Sequence, residues 1–309
     1  MLLYTDDRFH AHETPAGHPE RSDRLTAVER ALKHAGLTDR LTRRAAPRVD
    51  PRWLEAAHSK EHIQRLAALL PDQGLVLLDP DTTLGPHSLD AAVHAAGALV
   101  DAVERVLAGE ANRAFCAVRP PGHHAERGDA MGFCLFNSVA VAAFAALSDP
   151  AVERVAILDF DVHHGNGTVD IFRDDSRVLV CSSYQHPYYP NRHYDVEAPH
   201  LVHTPLVAGT DGAAFRQAIE ASWLPAINGH QPDLILVSAG FDAHEADPLA
   251  QLNLTVYDFR WISELIADRA AEHSAGRIVS TLEGGYDLDA LGACAAAHVD
   301  TLLATEPTP

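Results

Sequence analysis

No stretch of this chain approaches the ~20 uninterrupted apolar residues of a membrane-spanning helix. The opening segment, Met1-Leu-Leu-Tyr-Thr-Asp-Asp-Arg-Phe9, lacks the basic-then-apolar layout of a signal peptide, so the expectation is a cytoplasmic location. Cysteine is scarce. Cys116, Cys134, Cys181 and Cys294 are far apart in sequence, which excludes a Cys-x-x-Cys zinc site and fits reduced, buried thiols. Basic residues are few: 24 Lys and Arg against 43 Asp and Glu leave a formal charge of −19. Such a field repels nucleic acid and anionic membrane, and it attracts cationic ligands such as lysine-rich peptides or polyamines. A solvated acidic surface is the plainer reading of the same charge. No serine or cysteine sits in a nucleophile-elbow setting, so acyl-enzyme chemistry is not indicated. Neither an internal repeat nor a Gly/Ser/Pro-rich linker divides the chain, and residues 1–309 are expected to form one domain.

What is present is a core-forming composition, 47% hydrophobic and 22% charged, with 20 histidines, several beside glycine or a carboxylate. Short apolar runs read as buried strands at Leu2–Thr5, Ala114–Val118, Val155–Phe160, Val178–Ser183, Leu234–Ala239 and Arg277–Leu282, with a further short one at Ala46–Asp50. Helical periodicity predicts helices over about 19–34, 51–70, 88–107, 138–147, 211–227, 255–272 and 288–304. Residues 78–86 and the tyrosine- and histidine-rich stretch 184–203 read as loops. Alternating strands and helices with uniformly apolar strands predict an α/β fold: a parallel sheet covered on both faces.

The stretch Asp159-Phe-Asp-Val-His-His-Gly-Asn-Gly-Thr168 organises the chemistry. Asp159, Asp161 and His163 alternate on one face of an extended segment. A carboxylate and an imidazole two residues apart suit a small divalent metal. Three more apolar strands run into polar, glycine-bearing ends: Arg119-Pro-Pro-Gly-His-His124, Gly240-Phe-Asp-Ala-His244 and Glu283-Gly-Gly-Tyr286. In an open α/β sheet the ligand lies outside the carboxyl ends of the strands. His123, His124, Asp159, Asp161, His163, Asp242 and Tyr286 are therefore expected in one crevice. Asp161, His163 and Asp242 would form an open three-ligand metal site, His123 and His124 a base and acid pair, and Tyr286 a donor to an oxyanion. Together these groups suit metal-assisted hydrolysis of an amide. Each motif alone is weak; His58, His94, His273 and His298 are taken as surface or capping residues rather than ligands.

These motifs, with His18-Pro-Glu-Arg21, Gly132-Phe-Cys134 and Asp247-Pro-Leu249, run in order along a chain that resembles the zinc-dependent histone deacetylase family. That family includes bacterial deacetylase-like amidohydrolases and acetylpolyamine amidohydrolases. The resemblance implies an arginase–deacetylase fold with a parallel sheet of about eight strands. It implies one Zn²⁺ on Asp161, His163 and Asp242, His124 as general base and acid, His123 as its electrostatic partner oriented by Asp159, and Tyr286 on the substrate carbonyl. It further implies a structural K⁺ near Asp159, Ser182 and Ser183 with Asp161 and His163. Gly132, Phe133, Tyr189 and Leu249 would line a substrate tunnel, and Arg21 an internal acetate cavity.

Three positions carry variation. Asn166 stands where some members have an Asp, as in class II and many bacterial members, and should leave His124 less cationic. Asn191-Arg-His-Tyr194 stands where many relatives have a Gly-Thr-Gly turn. Leu249 replaces the Glu gatekeeper of one polyamine-specific branch. The leading expectation is a deacylase of acetyl- or acyl-lysine in proteins or peptides. A small acetylated amine or polyamine is the alternative substrate; a dimetal ureohydrolase and a non-catalytic acyl-lysine binder rank lower. Oligomeric state is left open.

Overall fold

The computed structural model describes residues 1–305; residues 306–309, the tail of the expected domain, lie outside the described residues. The strands are β1 (Leu2–Tyr4), β2 (Thr42–Arg44), β3 (Val76–Leu77), β4 (Thr83–Leu84), β5 (Arg113–Cys116), β6 (Val155–Asp159), β7 (Val178–Gln185), β8 (Leu201–Leu206), β9 (Leu234–Ala239) and β10 (Ile278–Leu282). The helices are α1 (Asp7–His10), α2 (Asp23–His34), α3 (Pro51–Ala57), α4 (Lys60–Leu69), α5 (Ser88–Leu107), α6 (Ser138–Ala146), α7 (Asn166–Phe172), α8 (Gly212–His230), α9 (Val256–His273) and α10 (Leu288–Ala304).

Eight strands form one parallel sheet in the order β2-β1-β5-β10-β9-β6-β7-β8. The expected α/β architecture with an eight-stranded parallel sheet is what the chain adopts. Strands β5, β6, β9 and β10 are buried along their whole length, as a sheet packed on both faces requires. These four are contiguous at the centre, and they are the four whose ends carry the polar motifs. Parallel direction brings all four carboxyl ends to one edge of the sheet.

Helices α5 and α6 pack on each other, and α10 packs on both α2 and α9. Side-chain caps start several helices: Asp50 for α3, Ser59 for α4, Asn137 for α6, Asp211 for α8 and Asp287 for α10. All four cysteines are buried and free. Among the described residues no helix is long and apolar enough to cross a membrane.

Some boundaries differ from expectation for identifiable reasons. The helix expected over 51–70 breaks at His58, whose backbone is extended and whose ring bridges the Glu126 carbonyl (3.0 Å) and the Asn137 amide (2.9 Å). Residues 46–50 form no strand; Thr42–Arg44 pairs with β1 instead, with polar side chains that suit an edge. The helix expected from Pro19 starts at Asp23, because Glu20 turns inward. The loop expected over 184–203 is shorter, since β7 continues to Gln185 and Leu201–Leu206 forms the edge strand β8. Pro205 hid that strand from a propensity reading, although an edge tolerates proline.

Glu20 joins the N-terminal segment to the carboxyl edge of the sheet. Its carboxylate pairs with Arg119 (2.7 Å to Nη2) and Arg24 (3.2 Å), all three residues fully buried. Arg119 also donates to the Phe9 carbonyl, and Arg24 donates to the carbonyls of Glu283 and Gly285. Burial alone would raise the Glu20 pKa, but Arg119 above all, with His12 and Arg24, outweighs it and lowers it from 4.5 to about 2. The folded state thus favours the ionised carboxylate. Its contribution is complete above the unfolded value near 4.5 and is lost as pH falls toward 2. Glu20→Gln leaves two buried guanidinium groups against no carboxylate and should cost about 3–5 kcal/mol at neutral pH. Urea unfolding across pH should show the gap between parent and variant narrowing as pH drops through that window; a constant gap would contradict the assignment.

Candidate active site

Strand β6 ends at Asp159, and the chain turns so that Asp159, Asp161 and His163 enter the cleft, all buried. Asp242 arrives from the end of β9 and is fully buried. Asp161 Oδ2 accepts from the Gly284 amide (2.8 Å), and Asp161 Oδ1 from the His163 amide (2.9 Å). Asp242 Oδ1 accepts from the Val162 amide (2.9 Å). These bonds aim one ligand atom each from Asp161, His163 and Asp242 at a common point, all within 4.8 Å of one another.

The cluster fits a divalent metal by its own chemistry. Asp242 Oδ2 is buried with no hydrogen-bond partner, although His163 Nδ1 lies 3.2 Å away. A buried carboxylate oxygen without a donor is costly unless a cation meets it. Burial raises the pKa of Asp242, and the neighbouring Asp161 adds to the rise. Burial opposes charging of His163, yet Asp161 and Asp242 outweigh it and hold its pKa well above the usual range. Two carboxylates and an imidazole thus converge on a point that calls for positive charge.

The loop after β5 supplies two adjacent imidazoles whose ring centroids lie 4.0 Å apart, tilted by 40°. His123 Nδ1 lies 2.9 Å from Asp159 Oδ2, and the other Asp159 oxygen accepts from the Asp161 amide (3.1 Å). Burial works against a charged His123, but Asp159 and Asp161 outweigh it and raise its pKa to about 10. His124 goes the other way: burial first, then the neighbouring His123 and His163, push its pKa well below 6.5. Its Nδ1 lies 2.7 Å from Asn166 Oδ1, a neutral partner. The two imidazoles are thus pushed in opposite directions, His123 toward its charged form and His124 toward its neutral form, a separation of the kind acid–base chemistry uses.

A pocket of about 160 Å³ reaches this cluster, lined in part by His124, Phe133, His163, Tyr189, Leu249 and Tyr286. Phe133 has φ +67, a backbone region rare for a bulky residue, and its amide donates to Thr82 Oγ1 (3.0 Å). Strain of this kind persists where the surroundings over-determine it. Tyr286 sits under Arg24, whose guanidinium carbon lies 5.0 Å from its ring. Its amide donates to Asp247 Oδ2 (2.7 Å), and Asp247 Oδ1 accepts from Leu249 (2.9 Å).

A family model described as the histone deacetylase domain matches residues 18–302. The chain belongs to the histone deacetylase family. It is 38% identical to a histone deacetylase-like amidohydrolase of Pseudomonas aeruginosa, over 93% of this chain and 77% of that one. It is 33% identical to a probable deacetylase of Archaeoglobus fulgidus, over 92% of this chain and 80% of that one. The crystal structure of the HDA15 HD domain superposes with a TM-score of 0.91 at 33% identity, covering 98% of this chain and 88% of that one. Like its family, the chain is a hydrolase acting on amide bonds.

Most of the residues singled out in the sequence meet in this deacetylase-family cleft. Ser182 and Ser183 lie on β7, with Ser182 in register with Asp159. Arg21 does not reach the cleft. Its side chain is 49% exposed and pairs with Asp23 (3.4 Å), because the chain enters α2 with that residue facing solvent. The buried arginine of the segment is Arg24, one residue inside the helix. His58 ends α3 as a capping residue, in line with expectation, whereas His298, expected at the surface or at a cap, is fully buried and bridges Ser263 and Ser280.

Several contributors escaped the sequence reading. Tyr188 stacks on His163 with centroids 5.7 Å apart. Glu283 accepts from the Gly122 amide (2.7 Å) and the His123 amide (3.2 Å), fixing the histidine loop. Asp247 holds the Tyr286 turn, and Glu126 contacts Asn166. Glu283 and Asp247 stood inside quoted motifs, but only the fold shows which amides they receive.

Gly132, at φ +56, packs directly against the His124 ring. A Cβ there would lie 2.3 Å from His124 Cδ2. Gly132→Ala should destabilise the protein by about 1–3 kcal/mol through overpacking. The denaturant midpoint measures this, and an unchanged midpoint would show that the contact with His124 yields freely.

Proposed function

We propose that this family member is a zinc-dependent deacylase that removes acetyl or other acyl groups from lysine side chains of proteins or peptides. The observation that carries the reading is the convergence of the Asp161–His163–Asp242 cluster with a neutral His124 at the end of a narrow, aromatic-walled pocket. Asp161, His163 and Asp242 would hold one Zn²⁺, which as a Lewis acid would polarise the amide carbonyl and acidify water.

The chain's own groups do the remaining work. Phe133 and Tyr189 flank the alkyl stem of the acyl-lysine, and burying that stem places the amide at the cluster. His124 takes a proton from the attacking water and returns it to the departing amine. His123, kept cationic by Asp159, offsets the negative charge that develops beside it. Tyr286 donates its hydroxyl to the carbonyl oxygen as that oxygen becomes an oxyanion. Burial raises the Tyr286 pKa well above 10, so the phenol keeps the proton it donates. Asp159, Ser182 and Ser183, with Asp161 and His163, would seat the structural K⁺, a reading supported by the register of Ser182 beside Asp159.

Leu249 gives the pocket an apolar lining that favours a lysine stem over a free polyamine. Asp81 also lines the pocket, and its carboxylate would suit a substrate ammonium, which keeps small acetylated amines as the second reading. His124→Ala should lower kcat about 10²–10⁴-fold and Tyr286→Phe about 10²–10³-fold, with fold and metal content retained. Turnover of acetyl-lysine peptides and acetylpolyamines by the zinc-loaded protein tests both points. A parent rate in Tyr286→Phe would remove its role, and a strong preference for acetylpolyamines would favour the second substrate class.

A further inference from the structure

The Asn166 side chain lies between two groups with opposite demands. Its Oδ1 is 2.7 Å from His124 Nδ1. Its Nδ2 is 2.7 Å from Glu126 Oε1, and 3.3 Å from both the His124 carbonyl and Met131 Sδ. The three neighbours of Nδ2 are a carboxylate, a carbonyl and a thioether. None of them donates a hydrogen bond. If the amide were turned over, its oxygen would face the Glu126 carboxylate at the shortest of these contacts. The NH₂ must therefore face Glu126, and the oxygen must face His124. An amide oxygen only accepts, so His124 Nδ1 must carry the hydrogen, which leaves the Nε2 lone pair free.

Glu126 is itself held in place. It is buried, its amide donates to the Asp129 carbonyl (2.9 Å), and its carbonyl accepts from His58 Nδ1 (3.0 Å). Arg192 Nη1 lies 3.0 Å from its Oε2, and His193 Nε2 lies 3.2 Å from its Oε1. Both come from the loop between β7 and β8, the segment whose sequence Asn191-Arg-His-Tyr194 departs from the turn many relatives carry.

We propose that Glu126 is a positioning residue that fixes the orientation of the Asn166 amide and, through it, the Nδ1–H tautomer of His124. Arg192 and His193 tie this lock to the rim loop. A neutral imidazole protonated on Nε2 has no lone pair there to accept a proton, so the wrong tautomer is an idle base. The use of the tautomer in catalysis rests on the deacylase reading; the tautomer itself does not.

Glu126→Gln tests the lock, because it keeps the shape and loses the polarity. A glutamine can turn either its oxygen or its NH₂ toward Asn166, so both amide orientations become available. Asn166→Asp alone would set two carboxylates face to face. Combined with Glu126→Gln, it restores the pattern: the NH₂ of the introduced glutamine donates to one oxygen of the introduced aspartate, and the other oxygen accepts from His124.

The readouts are ¹⁵N NMR of labelled histidine, which reports the His124 tautomer, and kcat and KM on an acetyl-lysine peptide, all with zinc-loaded protein. The parent should show only the Nδ1–H form. Glu126→Gln should show both tautomers and lose about tenfold in kcat with KM unchanged. The double variant should recover the Nδ1–H form and exceed the kcat of Asn166→Asp. An Nε2–H tautomer in the parent, or a pure Nδ1–H form in Glu126→Gln, overturns the proposal. Should Glu126→Gln fail to fold, the parent spectrum still decides. Should the parent hydrolyse no acyl-lysine, the deacylase reading falls and the spectrum tests the lock alone.

Discussion

Three carboxylates, Asp159, Asp161 and Asp242, are buried together at the carboxyl edge of the sheet, and the rest of the cleft is arranged around compensating them. Buried charge costs several kcal/mol per ion unless it is paired and hydrogen-bonded. Asp159 is matched by the His123 cation, and Asp161 by His163 and the Gly284 amide. Asp242 Oδ2 accepts no hydrogen bond, with His163 Nδ1 3.2 Å away, and a cation at the cluster would compensate it. The stability of the site and its chemistry thus share one electrostatic requirement. The same concentration of charge divides the two adjacent imidazoles, because a cationic His123 beside His124 helps keep His124 neutral.

The scaffold meets this requirement by supporting the charged groups from behind. Glu283 receives the amides of the histidine loop, Asp247 receives the amide of Tyr286, and the Glu20–Arg119–Arg24 cluster joins that loop to the Glu283–Gly285 turn. A site built on the ends of four central strands gains its precision from such supports, since loops alone would let the reacting groups wander. The rim is built differently. Tyr188, Tyr189, Arg192 and His193 come from the 186–200 segment, while Phe133 and Asp81 come from separate loops.

The centre of the molecule was legible in the sequence because parallel strands are continuous apolar runs that end abruptly in polar residues. That pattern located β5, β6, β9 and β10 and brought Asp161, His163, Asp242, His123, His124 and Tyr286 to one edge. The edge strands were less legible. β2 and β8 carry arginine, histidine and proline, since an edge does not need burial on both faces. Arg21 was placed in the interior because a basic residue in the motif was expected there, whereas helix geometry turns Arg24 inward. Glu126 gave no signal, because a carboxylate near glycine and arginine reads as surface until the fold sets it against Asn166.

The most direct test of this electrostatic picture is X-ray anomalous diffraction at the zinc edge on crystals of the zinc-loaded protein. The expected map has one strong peak at bonding distance from Asp161, His163 and Asp242, with His124 beside it and no second peak of comparable height in the cleft. Two peaks, a peak held by other residues, or an empty cleft at saturating zinc would contradict it.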